Sequence, residues 1–389
     1  MKLYYIANAR MPTEKAHGIQ IAKMCEAFIE AGIDLTLIVP NRKTVPKSMK
    51  DYYGLRVDIP MIKLPAIHTH TGGKILFTLS SLSFALSYFA HRWLFWKKGE
   101  RAVVYTIDID NTAYCLIPFL GLPYFSEAHS TKAKTWIHRI LFSRISGLFT
   151  INRIIKKEMI EKFGLEPQRV VAEPNGVDES WFASEQNSNT RKEARRSLGI
   201  DENLKLALYV GRFFDWKGLE ILPPTALLLE SNMAIGVVGG PKEEFARITG
   251  IQSLPPNLLF FGDQPYAIIP LWLQAADVLI VLGTKRDMQS YYYTSPMKLF
   301  EYMASGKPIL ASDTPAIREI ISEKEAVFYT PDNADDMAQK LWYTMNRSDE
   351  TVLKVSSAKS LATTFLWRNR ALRILEIIHE TLYRHTGIQ

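Results

Sequence analysis

Residues Tyr293–Ser312 read YTSPMKLFEYMASGKPILAS, and how this stretch begins and ends decides the fold of the chain. Ser295 is a good helix N-cap, Pro296 suits the first helical position, and Gly306 with Lys307 and Pro308 closes the helix ahead of a strand. Upstream, Asp277–Leu282 reads as a buried strand, so the loop Gly283–Tyr293 leaves the carboxyl end of that strand and feeds directly into the helix. In an open α/β sheet that is where ligands bind. The first N–H groups of such a helix lack intrahelical partners and carry partial positive charge, which suits a phosphate or diphosphate at Thr294–Met297. Glu301, about two turns in at roughly 3.6 residues per turn, either accepts hydrogen bonds from a sugar hydroxyl or is one more solvated helix carboxylate.

Working outward, 389 residues are enough for two domains with separate cores, and 47% hydrophobic content is that of an ordinary globular protein. Lys2–Ala7 reads as a strand that enters a fold at once, not as a secretory leader, which argues against secretion. Cys25 and Cys115, the only cysteines, are too few for a disulfide framework and lack zinc-site spacing. They read as small core residues in a reducing, cytoplasmic compartment. A net charge of +7 fits nucleic acid, an anionic membrane surface or anionic ligands, and charge by itself does not choose. No nucleic-acid-binding motif accompanies it, and no acidic cluster suggests a metal.

In the first half, the strand Lys2–Ala7, a helix over Gly18–Ala31 stopped by Gly32, and the strand Asp34–Val39 make a strand–helix–strand unit. Its loop Asn8–His17 carries no G-x-G-x-x-G, which disfavours a dehydrogenase. His17 and Gly18 open the helix instead; Gly18 either lets backbone come close to a ligand or is a plain helix-start glycine. Ile75–Ala90 is uncharged, and Trp93–Trp96 extend it to Lys97 and Lys98, but serines, His91 and Arg92 interrupt the roughly 20 apolar residues a spanning helix needs. It reads first as a buried helix and second as a helix lying in the membrane interface. Val103–Ile107 and Leu122–Phe125 read as strands, the second running into Ser126, Glu127, Ala128 and His129. Two apart on an extended segment, Glu127 and His129 project to the same side as an acid/base or sugar-binding pair, although single histidines are more often structural.

From Glu179 to about Asn203 the composition turns polar, with Ser184–Arg196 almost free of apolar residues, which reads as a linker with one short helix. A second α/β domain starts with the strand Lys205–Val210, followed by Gly211, Arg212 and, after Phe213–Trp216, Lys217 and Gly218. Two cations and two glycines at a strand end form a diphosphate clamp, Arg212 as a fork and Lys217 as a point charge. Pro223 and Pro224 should end or kink the following helix after little more than a turn. The last helix covers Thr364–Tyr383.

Taken with these residues, the chain resembles the GT-B-fold glycosyltransferases of family 4, the retaining class that uses nucleotide sugars, over nearly its whole length. Gly211-Arg212 and Lys217-Gly218 match the family's G-R then K-G segment, whose cations bind the donor diphosphate. Phe300–Ser312 matches the helix that carries the second Glu of the family's Glu, seven residues, Glu motif, which makes Glu301 the ribose ligand. Glu173–Asp178, EPNGVD, resembles the segment that closes the first domain, and Glu127-Ala128-His129 the segment whose His lies near the transferred sugar. Three departures stand out. Tyr293 replaces the first Glu, and T-S-P the glycine-rich turn; the N-terminal loop offers only His17 and Gly18 in place of a double glycine; and Pro223 and Pro224 interrupt a helix.

The resemblance implies two Rossmann-like domains facing across a cleft, 1–178 with the C-terminal helix 364–389 for the acceptor and 204–363 for the donor, joined by the linker 179–203. It implies a retaining, metal-independent hexosyltransferase using a UDP- or GDP-linked sugar as co-substrate, with no cofactor. His129, Arg212 and Lys217 would act in catalysis; Gly18, Gly211, Tyr293, Thr294, Ser295, Pro296, Met297 and Glu301 would bind the donor; His17 and Glu127 would face the acceptor or sugar. A glycan or lipid-linked acceptor in cell-envelope polysaccharide or glycolipid synthesis would place the protein at the inner face of the membrane. A sugar-nucleotide epimerase of the same fold, or a catalytically silent partner subunit, are the alternatives.

Overall fold

The computed structural model describes residues 1–45, 47–67, 73–96, 101–108, 112–182, 188–346 and 348–386. The chain forms two compact units, Met1–Asn175 with Trp367–Gln389, and Gly176–Leu366. In the first, β1 (Lys2–Ile6), β2 (Asp34–Pro40), β3 (Met61–Leu64), β4 (Ala102–Ile107), β5 (Tyr124–Ala128), β6 (Gly147–Thr150) and β7 (Val170–Ala172) form a parallel sheet in the order β3-β2-β1-β4-β5-β6-β7. In the second, β8 (Lys205–Val210), β9 (Met233–Val238), β10 (Leu258–Phe260), β11 (Val278–Val281), β12 (Ile309–Ser312) and β13 (Val327–Tyr329) are parallel in the order β10-β9-β8-β11-β12-β13. Each sheet reverses its winding beside its own first strand, between β1 and β4 and between β8 and β11. The loops after those strands therefore diverge and leave a crevice at their carboxyl ends.

Period-two alternation decides the core of the second unit. Leu206 and Leu208 of β8, Val238 of β9 and Leu279 and Val281 of β11 face one layer of helices; Ala207 and Tyr209, Ile235 and Val237, and Val278 and Ile280 face the other. Both faces are apolar, so the strands read as unbroken hydrophobic runs.

Local structure departs from the sequence reading in four places. The key helix is Met297–Ser305, and its N-cap is Pro296 with no side-chain cap; Ser295 lies one residue outside, in a buried turn. Pro223 and Pro224 do not end a helix but begin one, Leu222–Leu227, at first-turn positions whose N–H groups would have no partner anyway. The expected linker is largely ordered: helix Ser188–Leu198 belongs to the second unit, with Ala194 and Ile200 in its core. Its buried side was hidden by its composition, because the residue it buries most completely is Arg195; Ser184–Asn187 of that segment lie outside the described residues.

The fourth is the apolar helix Lys74–Phe95 of the first unit. It buries only Ser80, Ser81, Phe84, Ala85 and Tyr88. Ile75, Phe77, Leu86, Trp93, Leu94 and Phe95 are each more than half exposed, so the expected core helix is a surface one. Lys97 and Lys98 lie outside the described residues. No helix among the described residues is long and apolar enough to cross a membrane. The final helix is Trp367–Thr386, and it belongs to the first unit, where Ala371, Ile374 and Ile378 are buried.

Arg195 donates Nε to the Ala275 carbonyl, Nη1 to the Asp201 and Glu202 carbonyls, and Nη2 to Asp277 at 2.8 Å. Asp277 in turn accepts the Leu206 N–H at 2.7 Å, at the start of the unit's central strand. Removing the guanidinium strands several buried acceptors, so Arg195→Met should cost about 2 kcal/mol or more in urea unfolding; a loss under about 0.5 kcal/mol, the level of an ordinary surface change, would contradict this account.

Candidate functional site

In the second unit, the crevice between β8 and β11 is built on glycine. Gly211 ends β8 with φ +147°, and Gly239 ends β9 with φ +129°. A Cβ on Gly239 would stand 2.4 Å from the Gly211 carbonyl oxygen, so the two backbones can touch only because Gly239 lacks a side chain. Beyond Gly211 the chain forms the short turn Asp215–Lys217, and Lys217 folds back to donate Nζ to the Arg212 carbonyl at 2.9 Å. Lys298, in the first turn of helix Met297–Ser305, reaches the same corner: its Nζ lies 3.7 Å from the centre of the Tyr209 ring and 3.1 Å from where a Cβ on Gly211 would be. Arg212 is exposed beside them.

These three cations strain against one another. Burial, and then Arg212, push Lys217 down to about 8. Burial, and then Lys217, hold Lys298 well below the usual lysine range. An anion in this corner would relieve the repulsion and recover the charge of both lysines.

Glu301 sits one turn beyond Lys298 and is buried; its Oε1 accepts the Tyr266 hydroxyl at 2.8 Å, and Trp181 packs against that ring at 5.7 Å. Burial pushes the carboxyl up to about 7, against the opposing pull of Tyr266 and Lys298. The loop after β11 closes with a π-helical turn, Gln289–Tyr293, braced by the Thr284 N–H donating to Ser290. Tyr291, Tyr292 and Tyr293 are half-buried in a row, followed by half-buried Thr294, Pro296 and Met297 at the uncapped helix start.

The first unit has its own polar cluster at the carboxyl ends of β4 and β5. Glu127 is fully buried, and its carboxylate accepts from Arg370 at 2.8 and 3.2 Å, Tyr105 at 2.7 Å, Gln20 at 2.5 Å and His129 Nε2 at 2.7 Å. Burial opposes its ionisation, but Arg370 and then His129 more than offset this and hold it well below the usual carboxylate range. Glu127 and His129 do project to one side, as their spacing predicts, but only His129 reaches the surface, its side chain 18% exposed. Glu127, expected against the sugar, is instead sealed behind it. The backbone N–H of His129 donates to Asp108, which Lys132 also holds at 3.0 Å.

His17 is exposed at the start of helix Ala16–Glu30. Gly18 is not open to a ligand: a Cβ there would meet Thr13 at 2.4 Å and the Tyr53 hydroxyl at 2.5 Å, so the glycine serves chain packing. Glu173 pairs with Arg373 at 2.9 Å. Sequence reasoning passed over Lys298, Tyr266, Gln20 and Arg370. Two of these carried a signal: Lys298 stands three residues before Glu301 on one helix face, and Arg370 interrupts the buried stripe of the last helix.

Glu301 also makes a stability statement. Its folded pKa is above the ordinary value of 4.5, so its contribution is fully present below about 4.5 and is lost as pH rises through about 7. Glu301→Gln removes that loss, and should gain up to about 3 kcal/mol on the wild type between pH 5 and pH 8. Parallel unfolding curves at the two pH values would contradict the raised pKa.

Residues 190–357 match the family model described as glycosyl transferases group 1. The D-inositol 3-phosphate glycosyltransferase of Thermomonospora curvata is 27% identical over 239 residues, 57% of this chain and 54% of that protein, so the match spans about half the relative. Sucrose-phosphate synthase from Thermosynechococcus elongatus superposes with a TM-score of 0.75 at 17% identity, over 98% of this chain and 99% of its own. Anabaena HepE in complex with UDP-glucose superposes with a TM-score of 0.73 at 14% identity, over 98% and 100%. The family match covers the second half of the chain, and the likeness to the solved structures along the whole chain shows the fold: two parallel-sheet α/β domains, as in GT-B structures.

Proposed function

We propose that the protein is a retaining glycosyltransferase of family 4 that moves a hexose from a nucleoside-diphosphate sugar, UDP- or GDP-linked, to a glycan or lipid-linked acceptor of the cell envelope. The observation that carries this is the cationic corner of Arg212, Lys217 and Lys298 at the end of β8, in front of the uncapped helix Met297–Ser305. As the sugar's bond to the diphosphate breaks, negative charge grows on the leaving oxygen, and fixed cations and helix N–H groups are the main lever for stabilising it. The protein's own cations do this without a metal. Glu301 holds the ribose hydroxyls, Tyr293 packs on the donor through its ring where a second carboxylate is missing, and His129 stands near the transferred sugar. Same-face attack by the acceptor gives retention with no protein nucleophile; Glu127 is too deeply buried and too fully hydrogen-bonded to serve as one. HepE, of the same fold, binds UDP-glucose, which supports testing UDP sugars first.

Thermal shift against UDP, GDP, ADP and their sugars identifies the donor, since a ligand that binds only the folded state raises its melting point. With that donor, Lys217→Ala and Lys298→Ala should each lower turnover about a hundredfold while the proteins stay folded. Wild-type turnover in both would remove the cationic corner from the mechanism. Donor isomerised or hydrolysed with no acceptor would indicate an epimerase, and no binding at all a silent homologue.

The exposed face of helix Lys74–Phe95 supports work at a membrane surface. Leu86, Trp93, Leu94 and Phe95 are exposed, with Arg92 over the Trp93 ring at 5.5 Å, the pairing of aromatic and cation that suits the headgroup region. The protein should sediment with anionic liposomes and be partly released by salt. Leu86→Glu with Trp93→Glu should weaken this about tenfold or more; no sedimentation with anionic or neutral liposomes would end the membrane reading.

A further inference from the structure

We infer that Arg370, on the C-terminal helix, is a positioning residue for His129: acting through the buried Glu127, it holds the imidazole in one orientation and one tautomer. This rests on the reading that His129 works beside the transferred sugar.

Arg370 is itself fully buried and locked on every side. Its fork meets both Glu127 oxygens, Nε donates to the Pro174 carbonyl at 2.7 Å, Nη2 to the Glu173 carbonyl at 3.2 Å, and Nη1 lies 3.1 Å from Met24 Sδ. One guanidinium thus joins the end of β5, the segment after β7 and helix Ala16–Glu30. A lysine could supply the charge but not the fork.

The consequence for His129 follows from what each atom can do. An ionised carboxylate only accepts, so Nε2 must carry the hydrogen in the 2.7 Å contact with Glu127. Gln20 donates to the same oxygen, and its nitrogen lies 3.0 Å from Nε2. With Nε2 protonated, Nδ1 is the ring's remaining acceptor. Nothing in this depends on the loop geometry of His129 alone; remove Arg370 and the buried carboxyl gains every reason to take up a proton, after which it can donate to Nε2 and reverse the tautomer.

The charged groups around the pair bear on the ionisation of Glu127. Glu127 faces Arg370 from the last helix and the hydroxyls of Tyr5 and Tyr105 from β1 and β4. His129 faces Asp108, itself paired with Lys132, and His17 across the cluster. Deleting the arginine removes one positive charge from this set, which raises the pH at which Glu127 takes up a proton.

The test is a cycle of Arg370→Gln and His129→Ala, scored by kcat, donor KM and pH profile, with the His129 tautomer read by nitrogen-15 NMR. Arg370→Gln should lower kcat about tenfold or more, leave donor KM unchanged, and move the acid limb of kcat to higher pH. In the His129→Ala background it should cost no more than about twofold, because coupled residues are not additive. NMR should show the Nε2–H form in the wild type and its loss in Arg370→Gln. Arg370→Lys, the milder variant if the first does not fold, should also lose kcat at unchanged donor KM. An equal cost in both backgrounds, or an unchanged tautomer, would mean the arginine merely holds the helix in place and would overturn the inference. Full turnover in His129→Ala would overturn the role of His129 itself, and the NMR comparison tells that failure from the first.

Discussion

A sheet whose strands all run one way, and whose faces are both covered by helices, leaves polar chemistry one exit: beyond the carboxyl ends of the strands. Both units obey this constraint, and the candidate site residues stand where it puts them. β8 is apolar on both faces up to Val210, and the first residues able to meet solvent chemistry are Gly211 and Arg212. β5 is buried through Ala128, and His129 is the first side chain past its end that reaches the surface. The reversal of strand order then opens a crevice at these points instead of elsewhere along the sheet edge.

Charge inside such a scaffold is costly, and the chain spends it in two different ways. Arg195 and Arg370 are fully buried, but each is saturated with carbonyl and carboxylate acceptors, so they act as bolts that tie helix ends to strand ends. A buried pair of this kind adds little net stability over an apolar replacement, but losing one partner is expensive. Lys217 and Lys298 are the opposite case. Lys217 reaches a carbonyl and Lys298 an aromatic face, and both are depressed by burial and by neighbouring cations. A corner in that condition would gain from an anion, as the proposed function has it.

The fold class was legible because a strand run ending in Gly211, and helices stopped by Gly32 and Gly306, are local signals with direct steric causes. So was the position of Arg212, Lys217 and Glu301, which lie within a turn or two of those signals. What escaped was everything decided by contacts distant in sequence. Arg370 reaches Glu127 across 243 positions and Tyr266 reaches Glu301 across 35, and no window of sequence holds both partners. Helix Lys74–Phe95 was misread for a related reason: an apolar composition says that a face wants burial, but not whether the rest of the chain supplies a cover. The polar segment around Arg195 failed in the mirror sense, since its burial is made affordable by acceptors that only the fold brings together.

The two buried glutamates show how far environment, not residue type, sets a role. Glu127 is surrounded by donors, ionised well below its usual range, and has its lone pairs taken up by Arg370, Tyr105, Gln20 and His129. It has nothing left to offer a ligand, and its effect on chemistry can only pass through the imidazole it holds. Glu301 accepts one phenol, lies one turn from a lysine that is itself depressed, and is poised near neutrality at about 7. Hydroxyl donors arriving at Glu301 would stabilise the carboxylate and complete a shell that the protein leaves half-built, and an anion arriving near Lys298 would raise that lysine and strengthen its pull on the same carboxylate. Under the proposed function, binding of a diphosphate and of a hydroxylated ring would thereby be coupled through a three-residue step on one helix, and a ligand carrying both groups would gain more than the sum of its parts.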